Sequence, residues 1–325
     1  MSQAPRPDLA SALAALRRGE AIGLPTETVY GLAADAADPE AVRRIFALKG
    51  RPADHPLIVH VAGAQALDDW AIEIPDSART LATAFWPGPL TVILRKQSRV
   101  PDVVTGGQDS VGLRCPDHPL ALSLLREFGG GLAAPSANRF GHVSPTSAAH
   151  VRAEFGDAVP EVLDGGECAV GIESTIVDFT GDVPRILRPG MLDRDRIEAV
   201  IGPVQTGSAA SSPRASGTLE AHYAPRTPLL LLPRAALAAE AAQQQTLGKT
   251  VQVLALGELP ADTPGLALPD DPASYAHGLY AALRELDARG ANLLIAERLP
   301  EDDDWLAIRD RLRRSAAGAA GNEAT

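Results

Sequence analysis

Pro25-Thr-Glu-Thr-Val-Tyr-Gly31 sets two hydroxyls, a carboxylate and a phenol at the end of an apolar run, Ala21-Ile22-Gly23-Leu24. Proline has no N–H for a sheet ladder, so Pro25 ends the strand, and polar side chains follow at a strand-to-turn junction, where open α/β sheets hold their ligands. Downstream, Lys49-Gly50-Arg51 places two cations two residues apart, followed by Pro52 and by His55-Pro56. Arginine offers a planar fork of donors and lysine a point charge, a pairing suited to phosphate. The helix dipole gives the alternative account of basic residues at a helix C-terminus. Ser136-Ala137-Asn138 follows a strand ending at Pro135. Its hydroxyl and amide either meet phosphate oxygens or close an ordinary polar turn. Together these runs suit a ligand that is anionic and hydroxylated.

Other candidates are scattered more widely. Arg114 ends an apolar strand and must reach solvent or pair with a carboxylate, a ligand's included. His60 interrupts Leu57-Ile-Val-His-Val61, either as a core histidine or as a site residue. Glu173-Ser174-Thr175 opens a strand with three polar groups, and Arg188-Pro-Gly190 sets a third cation at a turn. Ser144 before Pro145 reads as a helix cap, although helix N-termini also hold anions. His222-Tyr223-Ala-Pro225 stands outside any periodic element, as a lid over a site or as a domain anchor. No HExxH, CxxC, EF-hand, Walker A or GxSxG pattern occurs.

The elements that must position these groups follow from periodicity. The first 200 or so residues alternate helical and strand patterns, which implies an α/β domain. Helices are expected from Asp8 (as cap) to Gly19, from Asp38-Pro39 to Gly50, over 117–128, and from Ser144. Strands are expected at 21–24, 57–61, 90–94, 110–114 and 131–135, with 173–178 and 184–188 paired through a Gly181-Asp182 turn. Residues 206–218 contain no large apolar side chain and read as a flexible linker. Beyond it, strands at 229–232, 251–256 and 292–296 alternate with helices over 234–244, 273–289 and 305–315, a smaller α/β module. The expected division is a domain at 1–201, a linker with a possible lid at 202–227, a second domain at 228–318 and a disordered tail at 319–325.

With 4% aromatics the cores must be built from aliphatic residues, and a net charge of −11 argues against indiscriminate nucleic-acid binding. Two cysteines, Cys115 and Cys168, exclude a four-cysteine zinc site and a disulfide framework. The N-terminal residues carry no apolar signal core and no apolar run is long enough to span a bilayer, so the expected setting is cytoplasmic, away from membranes.

Taken together, the Pro25–Gly31 run, Lys49-x-Arg51 with Ser136-x-Asn138, Glu173-Ser-Thr, Arg188-Pro-Gly190 and His222-Tyr-Ala-Pro225 closely resemble the YrdC/YciO family of threonylcarbamoyl-AMP synthases, in its long two-domain form. The resemblance implies a YrdC-like twisted open mixed sheet with helices and a smaller Rossmann-like C-terminal α/β domain. It implies synthesis of threonylcarbamoyl-AMP and pyrophosphate from ATP, L-threonine and bicarbonate, with Mg2+ accompanying ATP. A separate transferase complex would then place the group on adenosine 37 of tRNA. By motif, Thr28, His60, Arg114, Ala134 and Ser174 would hold threonine. Lys49, Arg51, Ser136, Asn138, Ser144 and Arg188 would hold the phosphates, Lys49 and Arg51 acting on the reacting groups. Ser110 would lie near the nucleotide and Tyr223 would close over it. His55 would also contact ATP, although it stands where relatives often carry Asn or another residue. Two rivals compete: a double-stranded RNA binding module, and a carbamoyl-transfer enzyme like hydrogenase maturation factors, whose cysteine-rich zinc modules two cysteines cannot supply.

Overall fold

The computed structural model describes residues 9–321. The expected cap Asp8 and the last four residues of the expected tail lie outside them. The chain divides into two units. The first comprises the chain up to Phe140, Pro145–Ala169 and Glu173–Thr218, and the second comprises Gly141–Ser144, Val170–Ile172 and the chain from Leu219. Residues 202–218, read from the sequence as linker, are therefore part of the first unit, and two short stretches of the expected first domain belong to the second.

The first unit runs α1 (Leu9–Arg17), β1 (Ile22–Leu24), β2 (Gly31–Asp35), α2 (Pro39–Lys49), β3 (Ile58–His60), α3 (Leu67–Trp70), β4 (Ala71–Ile72), α4 (Asp76–Phe85), β5 (Leu90–Lys96) and α5 (Asp102–Thr105). It continues with β6 (Ser110–Arg114), α6 (Pro119–Phe128), β7 (Leu132–Ala133), α7 (Ala148–Phe155), β8 (Thr175–Asp178), β9 (Arg185–Arg188), α8 (Arg194–Ile201) and β10 (Gln205–Thr206). Its strands form one mixed sheet in the order β1-β2-β7-β3-β6-β5-β8-β9-β10, with β4 alongside β5. β3 is parallel to β6, β5 to β8 and β10 to β9, and the other pairs are antiparallel.

The sequence dictates these elements locally. In α2, Asp38 accepts the Glu40 N–H, Pro39 occupies the first turn, and Gly50 ends the helix in the left-handed region at φ 61°. β2 alternates: Leu32 and Ala34 enter the larger core with Val59, Leu90, Val92 and Leu113, whereas Ala33 enters a second core with Leu13, Leu16, Leu124 and Leu125 of α1 and α6. The sequence reading had taken Gly31 as a turn, because glycine and alanine weaken the strand signal. Ser144 does not cap the following helix. Ser147 does, its hydroxyl accepting the His150 N–H, and α7 begins at Ala148.

The second unit holds β11 (Leu229–Leu232), α9 (Leu237–Thr246), β12 (Val251–Leu256), β13 (Gly265–Leu268), α10 (Pro272–Ala288), β14 (Leu293–Glu297) and α11 (Leu306–Gly321). Its sheet is entirely parallel, in the order β11-β14-β12-β13. β13 was not foreseen, being four residues with no β-branched side chain. α11 runs to Gly321, so 319–321 are helical rather than part of a disordered tail. Among the described residues no helix is long and apolar enough to cross a membrane.

Gly190 follows β9 at a point where a side chain has no room. A Cβ there would lie 2.5 Å from the Thr175 nitrogen and 2.8 Å from the Ser174 carbonyl carbon. Gly190→Ala is expected to destabilise the first unit by about 1–3 kcal/mol through forced backbone displacement, read as a lower denaturant midpoint at unchanged slope.

Candidate active site

Strand alternation selects one polar face of the first unit's sheet. Val59, Leu90, Val92, Leu94, Val111, Leu113 and Val177 point into the larger core. Successive side chains of a strand point to opposite faces, so Ile58 and His60, Thr91 and Ile93, and Ser110, Gly112 and Arg114 share the other face, with Ile176 and, just ahead of β8, Ser174. Ile93, Ile176 and Leu187 form a small apolar cluster there, packed by Ile58 and by Ala215 from the segment after β10. No helical residue contributes to that cluster.

Residues 207–218, expected to be a loose connection, are tied down across this face. The Arg214 guanidinium donates to the carbonyls of Asp54 (3.2 Å) and Gly106 (2.8 Å), and its N–H donates to Gln108 Oε1 at 2.7 Å. Ser216 Oγ donates to the Pro56 carbonyl at 2.7 Å. Beneath this segment, between Thr91, Ser110, Gly112 and Ser216, only about 20 Å³ stays open. Ser110 also borders a larger cleft of about 710 Å³ lined by Arg95, Asp178, Arg185 and Ser212.

Two of the expected cations meet at Ser216. Arg188 donates from Nη1 to the Ser216 carbonyl at 2.9 Å, and Arg51 Nη2 lies 3.5 Å from Ser216 Oγ. Arg51 also donates to the Pro56 carbonyl at 2.9 Å. Arg188 further grips Ser174, its Nε and Nη2 donating to the Ser174 carbonyl at 3.0 and 2.9 Å and Nη2 to Ser174 Oγ at 3.1 Å. Thr91 Oγ1, 2.8 Å from Ser174 Oγ, completes the chain. Sequence reading passed over Thr91 and Ser216. Thr91 was legible as the polar residue at an outward position of an apolar strand, whereas Ser216 lies in a stretch with no periodicity.

Lys49, the last residue of α2, is buried and donates to the Ser136 and Asn138 carbonyls, both at 2.5 Å. Burial, and then the Arg51 charge, hold its amine well below the usual lysine range. Either protonation state can serve both carbonyls, so Lys49 fixes the Ser136–Asn138 strand end. His55 packs edge-on against Phe140 at 5.3 Å, and the Arg51 guanidinium carbon sits 5.9 Å from the same ring centre. Burial and Arg51 lower the His55 pKa.

The remaining threonine candidates line β3 and its neighbours. His60 is the register partner of Arg114, and Ala134 donates its N–H to the Ile58 carbonyl at 3.0 Å. Thr28 is fully buried, its Oγ1 3.0 Å from Thr26 Oγ1. Arg114 forms a buried ion pair with Glu27, which the sequence reading had placed in the opening motif without assigning it a task. Tyr30 is structural: its hydroxyl donates to the Gly166 carbonyl at 2.8 Å and accepts the Gly165 N–H at 3.0 Å. Both thiols are buried, which pushes Cys115 up to about 11 and Cys168 up to about 12.

Ser144 and Tyr223 are residues of the second unit. The Ser144 carbonyl accepts from Arg284 at 3.3 Å. Tyr223, buried and at φ 60°, lies 5.7 Å from the Tyr280 ring and beneath the Arg311 guanidinium at 5.4 Å. Among the described residues no group of three or more His, Cys, Asp or Glu is placed to hold a metal ion.

Comparison with known proteins bears on the fold and the family. A family model described as "Telomere recombination" matches residues 14–190, and one described as "Threonylcarbamoyl-AMP synthase, C-terminal domain" matches 192–317. The threonylcarbamoyl-AMP synthase of Pyrococcus abyssi is 42% identical over 93% of this chain and 92% of its own length. That of Bacillus subtilis is 41% identical over 96% and 94%. The crystal structure of P. abyssi Sua5 complexed with L-threonine superposes with a TM-score of 0.89 at 41% identity, covering 96% of this chain and 94% of that one. The class is thus a synthase whose mixed-sheet domain precedes a parallel α/β domain. The chain belongs to the threonylcarbamoyl-AMP synthase family, in its long two-domain form.

Burial, and then Arg114, push His60 down to about 3, against about 6.5 for an unfolded histidine. The unfolded chain therefore takes up the proton first. The stability that His60 contributes is complete above about pH 6.5 and is lost as pH falls towards about 3. His60→Asn is expected to flatten that part of the curve of denaturant midpoint against pH; an unchanged curve would place the ring in solvent contact.

Proposed function

We propose that the polar sheet face of the first unit joins ATP, L-threonine and bicarbonate into threonylcarbamoyl-AMP and pyrophosphate. The observation that carries the reading is the meeting of Arg51 and Arg188, from opposite ends of the domain, at Ser216. A phosphate group in place of that serine would find both guanidiniums already oriented, with Lys49 fixing the Ser136–Asn138 edge beside them. Ser110 borders the cleft that would receive the rest of the nucleotide. Arg114 would take the threonine carboxylate, while Thr28, neutral His60, Ala134 and Ser174 would enclose its side chain and amine.

In this reading the threonine amine and bicarbonate give a carbamate and water. The carbamate oxygen then attacks the α-phosphorus, the bond to the β-phosphate oxygen breaks, and pyrophosphate leaves. Magnesium enters as part of the nucleotide substrate and offsets phosphate charge. The protein needs no nucleophile of its own, since in-line phosphoryl chemistry rests on positioning and charge neutralisation. Hydroxyls, a neutral imidazole and cations on one face fit that demand.

The segment 207–218 would act as a cover that ATP displaces and that then returns over the bound substrates. The product would pass to a transferase complex that modifies adenosine 37 of tRNA, in a cytoplasmic setting.

Pyrophosphate release should require both threonine and bicarbonate. Arg51→Ala should cut it by roughly 100-fold and, because this guanidinium is buried and bonded to the Pro56 carbonyl, should also lower the melting temperature by a few degrees without unfolding the chain. Full activity in that variant would refute the phosphate assignment. Replacing 207–218 with a Gly/Ser segment of equal length should lower turnover by about tenfold or more while ATP binding, followed by calorimetry, persists. Unchanged turnover would reduce the segment to a tether.

A further inference from the structure

Glu27 has no task in the reaction as described, yet its surroundings are highly specific. Its side chain is 7% exposed, and its Oε1 lies 2.7 Å from Nη2 of Arg114, itself 5% exposed. Its Oε2 accepts the Asp117 N–H at 3.0 Å. The carboxylate thus accepts one hydrogen bond, from the backbone ahead of α6, and its other oxygen meets the guanidinium as a close ion pair without hydrogen-bond geometry. On the other side, Arg114 Nε donates to the Gly88 carbonyl at 3.4 Å. Nε is engaged by a hydrogen bond and Nη2 by the ion pair, while Nη1 makes no bond to the protein. His60, across the register from Arg114, stays neutral and adds no charge, and its Nδ1 is buried without a hydrogen-bond partner.

We propose that Glu27 is the positioning residue of the amino-acid subsite. It fixes the plane of Arg114 so that the free Nη1 edge faces the carboxylate of the incoming amino acid, and it balances the guanidinium charge while the subsite is empty. The proposal rests on the assignment of Arg114 to the threonine carboxylate made above. A guanidinium has five N–H donors in one plane, enough to serve Glu27, a carbonyl and a ligand carboxylate together. That arrangement discriminates only if the plane cannot rotate. Glutamine has the right shape but cannot replace Glu27: whichever way its amide turns, the NH2 faces either Arg114 or the Asp117 N–H, donor against donor. A purely structural role, the neutralising of a buried arginine, predicts something different, a loss shared by both substrates.

The test is steady-state pyrophosphate release by the full chain, varying threonine at saturating ATP and bicarbonate, then ATP at saturating threonine. Glu27→Gln is expected to raise the threonine KM by roughly tenfold or more while the ATP KM moves by less than about twofold. Glu27→Asp, which keeps the charge with a shorter reach, should fall between wild type and Glu27→Gln. A threonine KM within about twofold of wild type in Glu27→Gln, or both KM values rising in step, overturns the proposal. If Glu27→Gln does not fold, Glu27→Asp decides: a threonine KM raised about threefold with ATP unmoved supports positioning, and no split rejects it. Arg114→Lys is run beside them. If it raises the threonine KM where the Glu27 variants do not, only the positioning role fails. If it too leaves threonine use intact, the assignment of Arg114 falls and takes the proposal with it.

Discussion

A β-strand turns alternate side chains to opposite faces, and the first unit depends on that constraint more than on any single bond. Val59, Leu113, Val92 and Val177 send one face of four adjacent strands into the larger core. The same register then obliges His60, Arg114, Thr91 and Ile176 to share the opposite face. A slip of one residue in these strands would turn His60, Thr91 and Arg114 towards the core and Val59, Val92 and Leu113 out of it, so the core specifies the site. The apolar half of the pattern provides stability, and the polar half inherits its positions.

That face carries charges far from water, and each is anchored before any ligand arrives. Lys49 is held by two carbonyls, Arg188 by Ser174 and Ser216, and Arg114 by Glu27 and Gly88. A buried polar group without partners is costly, so these bonds are what allow two guanidiniums and a lysine amine to be buried within one domain. They also mean that the groups are oriented in advance and lose little freedom when substrate binds. The segment around Ser216 serves the same end by supplying a carbonyl and a hydroxyl where the two arginines meet.

Much of this was legible in the sequence, and the gaps have physical causes. The α2 helix was bounded by Asp38-Pro39 and Gly50, whose capping preferences are local. β5 and β6 announced themselves as apolar runs. By contrast Gly31–Asp35 and Gly265–Leu268 are strands of glycine, alanine and leucine, the first ending in Asp35, held by their neighbours rather than by propensity. Ser144 looked like a cap because Pro145 follows it, but the chain stays extended until Ser147. The family motifs drew together Lys49, Arg51, Ser136, Asn138 and Arg188. Composition misjudged 206–218: a stretch without large apolar side chains does not pack a core, yet Arg214 and Ser216 pin it through polar bonds that no hydropathy pattern records.

The two buried thiols give the first unit a built-in reporter of its own opening. With Cys115 at about 11 and Cys168 at about 12, almost no thiolate exists at neutral pH while the domain is closed. Alkylating or oxidising reagents must then wait for a transient exposure of the interior, and their rate counts those excursions rather than intrinsic sulfur reactivity. Any ligand that tightens this domain will therefore register as slower sulfur labelling.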